Sequence, residues 1–300
     1  MEQTDNLQNI RTILVPTDYS PYSIQAARYA AKIASKSGGN IMLLHAYYSP
    51  AFDLVELSGG LNTQQQLRKE VIEKLREEET VAINNFIDRL YEYDEFSDIP
   101  RKRINTDIKA GLAKDEIYNY TLDKSPDLVV MGTRGADIKN TSILGSITES
   151  SIKKLPAPVI AIPEGYKFIG EENLQRIVFL TDFDESDFLS IRKLMRFTNL
   201  FNMQIHCVHI GDHADKWEKI KMEGLKDYFQ KVYAQEKVEC QILPKDADLL
   251  HAIDKYVTEN NINLIALTHR KRNLIKKIFK PSLTRKIFYH SEQPLLVFHS

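Results

Sequence analysis

At 300 residues the chain exceeds the usual span of one domain, so two domains are expected, each long enough to bury a core. Apolar residues at 43% and charged residues at 27% exclude a disordered or fibrous chain, and a net charge of −1 removes any global electrostatic case for nucleic acid or an anionic membrane. No run approaches the roughly 20 apolar residues of a membrane-spanning helix, and the opening Met1-Glu2-Gln3-Thr4-Asp5 is unlike a signal peptide, so a cytoplasmic protein is expected.

Ile13 to Val15 reads as a short buried strand that ends in a turn. Ser20-Pro21 then supplies an N-cap with proline at the first helical position, Ile24, Ala27, Ala31 and Ala34 give the helix one apolar face, and Gly38-Gly39 stops it. The strand Ile41 to Leu44 completes a βαβ unit. From about Leu61 to Phe96 the pattern is that of a long amphipathic helix, whose acidic run Glu77-Glu78-Glu79 is read as a solvated face. Leu128 to Met131 and Val159 to Ile162 are continuous apolar runs, as expected of parallel strands covered on both faces. The arrangement is doubly wound, and ligands in such sheets bind beyond the carboxyl ends of the strands.

The chain also repeats itself. A shift of 164 places Ile13-Leu14-Val15-Pro16-Thr17-Asp18 on Ile177-Val178-Phe179-Leu180-Thr181-Asp182 and His45 on His209, while a shift of 136 places Asp127 to Val130 on Asn263 to Ala266. The difference between the two shifts, 28 residues, is the amount by which the middle of the second copy is shorter, and the helix expected there spans Trp217 to Val232. Repetition at this length means duplicated domains rather than a solenoid. The expected units are 1–165 and 166–300, the boundary falling near Pro163-Glu164-Gly165.

After the strand that ends at Met131, the sequence runs Gly132-Thr133-Arg134-Gly135, then nine residues, then Gly145-Ser146. The spacing alone is a moderate signal; the context is stronger. A buried strand, a glycine-rich loop and a helix start together point backbone N–H groups and a helix dipole at one pocket, which suits an anion. Each part also has a plainer reading: Ser146 with Glu149 three residues on could be a capping box, the glycines tight turns, and Arg134 a solvated side chain.

Taken with Val15-Pro16-Thr17-Asp18-Tyr19-Ser20 and Leu43-Leu44-His45-Ala46, this glycine motif resembles the universal stress protein family, in the form associated with ATP binding. The resemblance covers nearly the whole chain in two copies. It implies two tandem Rossmann-like α/β domains, each with a mainly parallel five-stranded sheet flanked by helices. It implies that the first binds ATP, with or without Mg2+, through Pro16, Thr17, Asp18, Ala46, Met131, Gly132, Arg134, Gly135, Gly145, Ser146, Ile147 and Thr148. Asp18 would accept from the sugar or base, and Ser146 and Thr148 would donate to phosphate. The family commonly pairs domains through the last strand. Here Val159 to Ile162 and Leu295 to Phe298 would pair within one chain, leaving a homodimer through a second surface open.

The second copy keeps Asp182, but Thr268, Lys271 and Pro281 stand where Gly132, Gly135 and Gly145 stand in the first, and only Ser282 is retained. Side chains occupy positions where backbone must approach phosphate, so this copy is not expected to bind ATP in the family manner. Its loop, residues 269–286, is rich in lysine and arginine; a solvated face and a surface for an anionic partner are both open readings.

No general base or activated nucleophile accompanies the glycine loop, so no catalytic residue is named. The expected function is an ATP-binding signalling module acting with a protein partner; a slow ATPase and a scaffold that binds no nucleotide are the alternatives. No metal site is expected, because His206 and Cys207 point to opposite faces of one strand and cannot converge with His209 and His213. Cys207 and Cys240 match neither a zinc knuckle nor a redox motif and are expected to be buried, reduced thiols.

Overall fold

The computed structural model describes residues 10–48, 63–133, 145–166, 174–212, 214–234, 236–244, 249–269 and 292–299. The first half runs β1 (Thr12–Thr17), α1 (Pro21–Ser37), β2 (Asn40–Tyr47), α2 (Thr63–Leu90), β3 (Ile104–Ala110), α3 (Ala113–Lys124), β4 (Leu128–Gly132), α4 (Ser146–Lys154) and β5 (Val159–Ile162). The second runs β6 (Arg176–Leu180), α5 (Glu185–Phe201), β7 (Gln204–Gly211), α6 (Lys216–Tyr233), β8 (Val238–Pro244), α7 (Leu249–Glu259), β9 (Leu264–His269) and β10 (Leu295–His299).

Local signals account for many of these boundaries. Ser20 caps α1 by accepting from the Ser23 amide, Pro21 takes the first turn, and Gly38 ends the helix at φ 73°, a left-handed conformation that glycine adopts without strain. In the second half Asp184 and Asp187 form a reciprocal capping box at the start of α5. Strand residues alternate between two covered faces. Ile13 and Val15 pack under α1 and α2, whereas Leu14 packs on the side of α3 and α4, so both faces of the sheet are covered and predominantly apolar.

The strands form one continuous ten-stranded sheet in the order β3-β2-β1-β4-β5-β10-β9-β6-β7-β8. This corrects the expectation of two five-stranded sheets. The order β3-β2-β1-β4-β5 recurs as β8-β7-β6-β9-β10, and the two halves fuse because β5 and β10 pair antiparallel, with Leu295 opposite Ala161 and Val297 opposite Val159. Every other pairing is parallel. The expected pairing of these two strands within the chain is therefore present. Each would otherwise be an open apolar edge.

Polar contacts reinforce the seam. His299 at the end of β10 donates from Nε2 to the Ile152 carbonyl of α4 at 2.6 Å, and its burial pushes the imidazole pKa down to about 4. Arg196 of α5 reaches Asp127, just before β4, at 2.8 Å, and the other Asp127 oxygen accepts from the Arg11 and Thr12 amides at 2.9 and 3.1 Å. Asn263 does the same for the Gln175 and Arg176 amides in the second half.

Candidate functional site

β1 has β2 on one side and β4 on the other, so the strand order reverses between β1 and β4 and opens a crevice at their carboxyl ends. Pro16 and Thr17 end β1 there, Asp18 follows them, Met131 and Gly132 end β4, and Ala46 lies near the end of the neighbouring β2. Gly145, Ser146, Ile147 and Thr148 start α4. Arg134 and Gly135 lie outside the described residues.

The turn after β1 is held from within. The Thr17 hydroxyl donates to Ser23 Oγ at 3.0 Å and accepts from the Tyr19 amide at 3.1 Å. Asp18 is exposed, and its carboxylate accepts from the Ser20 amide at 3.1 Å. Tyr19 adopts φ 62°, a left-handed conformation unusual for a bulky residue, and its ring stacks on His45 at 4.3 Å. His45 Nδ1 lies 2.8 Å from the Thr17 carbonyl, which can only accept, so this nitrogen carries the proton. Its Nε2 lies 3.3 Å from the Glu79 carboxylate, to which the Tyr19 hydroxyl also donates at 3.3 Å. Burial, then the Glu79 charge, pushes the Tyr19 hydroxyl above its usual range.

Sequence reasoning missed this cluster. Glu77 and Glu78 are solvated as expected, but Glu79 turns inward onto His45 and Tyr19. A usable signal existed: His45 falls on His209 at the repeat shift, and the second half rebuilds the same contacts. His209 Nδ1 meets the Thr181 carbonyl at 2.7 Å, its Nε2 lies 3.5 Å from Glu218 of α6, and Phe183, at φ 60°, covers the ring at 4.3 Å. Because it occurs in both halves, the cluster is best understood as positioning the turn that carries Asp18 or Asp182.

The glycine side of the crevice is tightly built. A Cβ added at Gly132 would stand 2.9 Å from the Tyr22 carbonyl oxygen and 3.0 Å from its Cβ, so α1 approaches β4 closer than any side chain would allow. The Gly132 carbonyl accepts from the Thr148 hydroxyl at 2.8 Å, and the Gly145 amide donates to the Thr133 carbonyl at 2.9 Å, tying the start of α4 to the end of β4. Gly145 is the N-cap of α4 and the Ser146 side chain is exposed, so the capping box considered for Ser146 and Glu149 is not formed; Glu149 instead accepts from Lys153 at 2.6 Å. No side chain caps this helix, which leaves its first-turn amides to other acceptors.

In the second half Thr268 replaces Gly132, and its hydroxyl donates to Ser190 at 2.9 Å. At the repeat shift Tyr22 becomes Ser186 and Ala26 becomes Ser190, so the helix face opposite the strand has changed with it. Ser23 becomes Asp187, a buried carboxylate that accepts from the Thr181 hydroxyl at 2.8 Å and from the Asp182 amide at 3.0 Å. Lys271, Pro281, Ser282 and the basic loop beyond His269 lie outside the described residues.

A cleft of about 230 Å³ lined by Asp127, Leu128, Pro158, Lys193 and Arg196 lies at the amino ends of β4 and β5, the far side of the sheet from these glycines. Among the described residues no group of His, Cys, Asp and Glu could hold a metal, and no helix is long and apolar enough to cross a membrane.

Comparison with known proteins agrees with this architecture. The chain is 25% identical over 304 residues to a universal stress protein of Synechocystis, covering 96% of this chain and all of that one. It is 27% identical over 159 residues to one from Methanocaldococcus jannaschii, covering 51% of this chain and 94% of that one. The crystal structure of a universal stress protein from Archaeoglobus fulgidus superposes with a TM-score of 0.64 over 98% of both chains at 17% identity, a likeness of fold. A sequence model described as the universal stress protein family matches residues 9–163, more than half of the chain, and the chain therefore belongs to that family.

Proposed function

We propose that the first half binds one adenine nucleotide in the crevice between β1 and β4 and does so without efficient turnover, as a signalling rather than catalytic module. The observation that carries this reading is the uncapped start of α4, tied to the end of β4 beside the β1–α1 turn. The first-turn amides of Ser146, Ile147 and Thr148, with the helix dipole behind them, are suited to phosphate. Thr148 spends its hydroxyl on Gly132, so among the two hydroxyls it is Ser146, exposed at the helix start, that would donate to the ligand. Asp18, at the rim of the same crevice, would accept from sugar or base, with Pro16, Thr17, Ala46 and Met131 around it; Arg134 and Gly135 would complete the phosphate loop.

The reading divides the chain into units 1–165 and 166–300 and gives the second no nucleotide. Its support there is chemical. The Asp187 carboxyl oxygen occupies the Asp182 amide, and Thr268 places a side chain where the first half has none. Calorimetry with ATP, together with mass spectrometry of whatever co-purifies, tests the proposal: one nucleotide per chain is expected. The absence of both heat at millimolar ATP and co-purified adenine would end it, and sustained phosphate release would convert the reading to that of an ATPase.

A further inference from the structure

Cys207 and Cys240 are separated by 33 positions in sequence, yet the sheet sets them side by side. β7 and β8 are parallel neighbours, and Cys207 and Cys240 are direct register partners. Neighbouring strands run about 4.8 Å apart, inside the Cα separation of about 4.4–6.8 Å that a disulfide spans. Both side chains lie on the face covered by α6, packed against the same core as Met222, Leu225 and Phe229. As direct register partners on one face the two thiols are close enough to perturb each other, burial and then the contact raising the Cys207 thiol and the contact lowering that of Cys240.

The pair is asymmetric. Cys207 is fully buried, while Cys240 sits on β8, the edge strand of the sheet, and is only partly buried. This corrects the expectation of two buried thiols. Burial pushes the Cys207 thiol well up; contact with Cys207 and the nearby Lys226 ammonium draw the Cys240 thiol down. A partly buried edge-strand thiol with a lowered pKa beside a buried second thiol is the arrangement in which oxidation is site-selective and ends in a disulfide.

We propose that Cys207 and Cys240 form a hydroperoxide-responsive dithiol, in which Cys240 is the attacking sulfur, Cys207 the resolving one, and the product a reversible disulfide between β7 and β8. The Cys240 thiolate attacks one peroxide oxygen: an S–O bond forms, the O–O bond breaks, and the departing oxygen takes up a proton to leave as water or an alcohol. The sulfur, now a sulfenic acid, has lost the two electrons that the peroxide gained. Cys207 then attacks the Cys240 sulfur; the S–S bond forms, the S–O bond breaks, and the hydroxyl leaves as water with the Cys207 proton. Two thiols and one hydroperoxide give one disulfide, one water and one water or alcohol. A dithiol reductant reverses the change by exchange at the Cys240 sulfur on the edge strand.

The proposal is independent of nucleotide binding and is tested on the full chain. The folded protein is treated with a small molar excess of hydrogen peroxide, quenched by alkylation in denaturant, and read by intact mass and peptide mapping. Both thiols should escape alkylation, the mass should fall by two hydrogens, the two cysteine peptides should be joined within one chain, and dithiothreitol should restore both thiols. In Cys207→Ser the reaction should stop at a Cys240 sulfenic acid trapped by dimedone. In Cys240→Ser, a near-isosteric change on the edge strand, Cys207 should remain fully alkylatable. Quantitative alkylation of both thiols in the treated parent chain would overturn the proposal. So would disulfides between chains, sulfinic acid without a disulfide, or oxidation of Cys207 in Cys240→Ser.

Discussion

Gly132→Ala tests how closely α1 and β4 approach at the mouth of the crevice. The new methyl would stand 2.9 Å from the Tyr22 carbonyl oxygen and 3.0 Å from Tyr22 Cβ, where unstrained carbon contacts lie at about 3.5–4.0 Å. Neither partner is a flexible side-chain end. Tyr22 belongs to the first turn of α1, held by the Ser20 cap and Pro21, and β4 is flanked by β1 on one side and β5 on the other. Overpacking of this kind costs about 1–3 kcal/mol. Lower entropy of the unfolded chain returns roughly 0.4–1 kcal/mol, because alanine is stiffer than glycine there. The net loss should be about 1–2 kcal/mol, a fall of roughly 2–8 °C in the thermal midpoint for a chain of this size. Circular dichroism during heating, checked against urea titration, measures it. Thr268→Gly provides the mirror experiment, because it strips a side chain from the equivalent strand and leaves the Ser190 hydroxyl without its donor. It should also destabilise, by about 1–3 kcal/mol. A Gly132→Ala protein as stable as its parent would refute the argument from close approach.

Further outcomes follow from the site and the seam. Gly135→Lys, which imitates Lys271, should abolish ATP binding in calorimetry with no change in the circular dichroism spectrum. Unchanged or tighter binding would mean that phosphate is held by charge rather than by approaching backbone. Asp127→Ala should cost about 2 kcal/mol in urea unfolding, since two amides lose their acceptor and Arg196 loses its bond to this carboxylate, while Asp127→Asn should recover about half by copying Asn263. His299 is held at about 4 from an ordinary 6.5, so the folded state binds its proton later than the unfolded one. Its contribution is whole above pH 6.5 and is lost as pH falls toward 4, by up to about 3 kcal/mol. His299→Gln, compared with the parent from pH 7 to 4 by urea unfolding, should show a shallower acid decline; parallel curves would contradict this.

What the sequence reveals and what it hides divide along physical lines. Ser20-Pro21 and Gly38 announce the ends of α1 because capping is local chemistry, and the apolar runs at Leu128 and Val159 announce doubly covered strands for the same reason. The repeat shift locates the second half without any structure. Contacts between distant segments leave fainter traces. Glu79 sits within a solvated acidic run and differs from Glu77 and Glu78 only in the direction its helix position faces. Ser146 looks like an N-cap by residue type, but the cap lies one residue earlier, at Gly145, and Ser146 is the first residue of α4. The pairing of Cys207 with Cys240 depends on strand register, which no spacing rule for cysteines encodes. The fusion of two sheets into one depends on a single antiparallel strand pair whose sequences read like any other buried strand.

That antiparallel seam has a consequence for how the two halves can diverge. Were they separate chains meeting through β5 and β10, an altered copy would exchange with unaltered ones, and every assembly would depend on concentration. Joined in one chain, each half meets the other at an effective concentration of order millimolar whatever the dilution, in a fixed one-to-one ratio. A change such as glycine to Thr268 is then confined to one side of the pair and cannot spread into the other by mixing. The covalent link thus permits a permanently lopsided molecule: one half can surrender its ligand chemistry and still serve as the partner that covers the other's exposed edge.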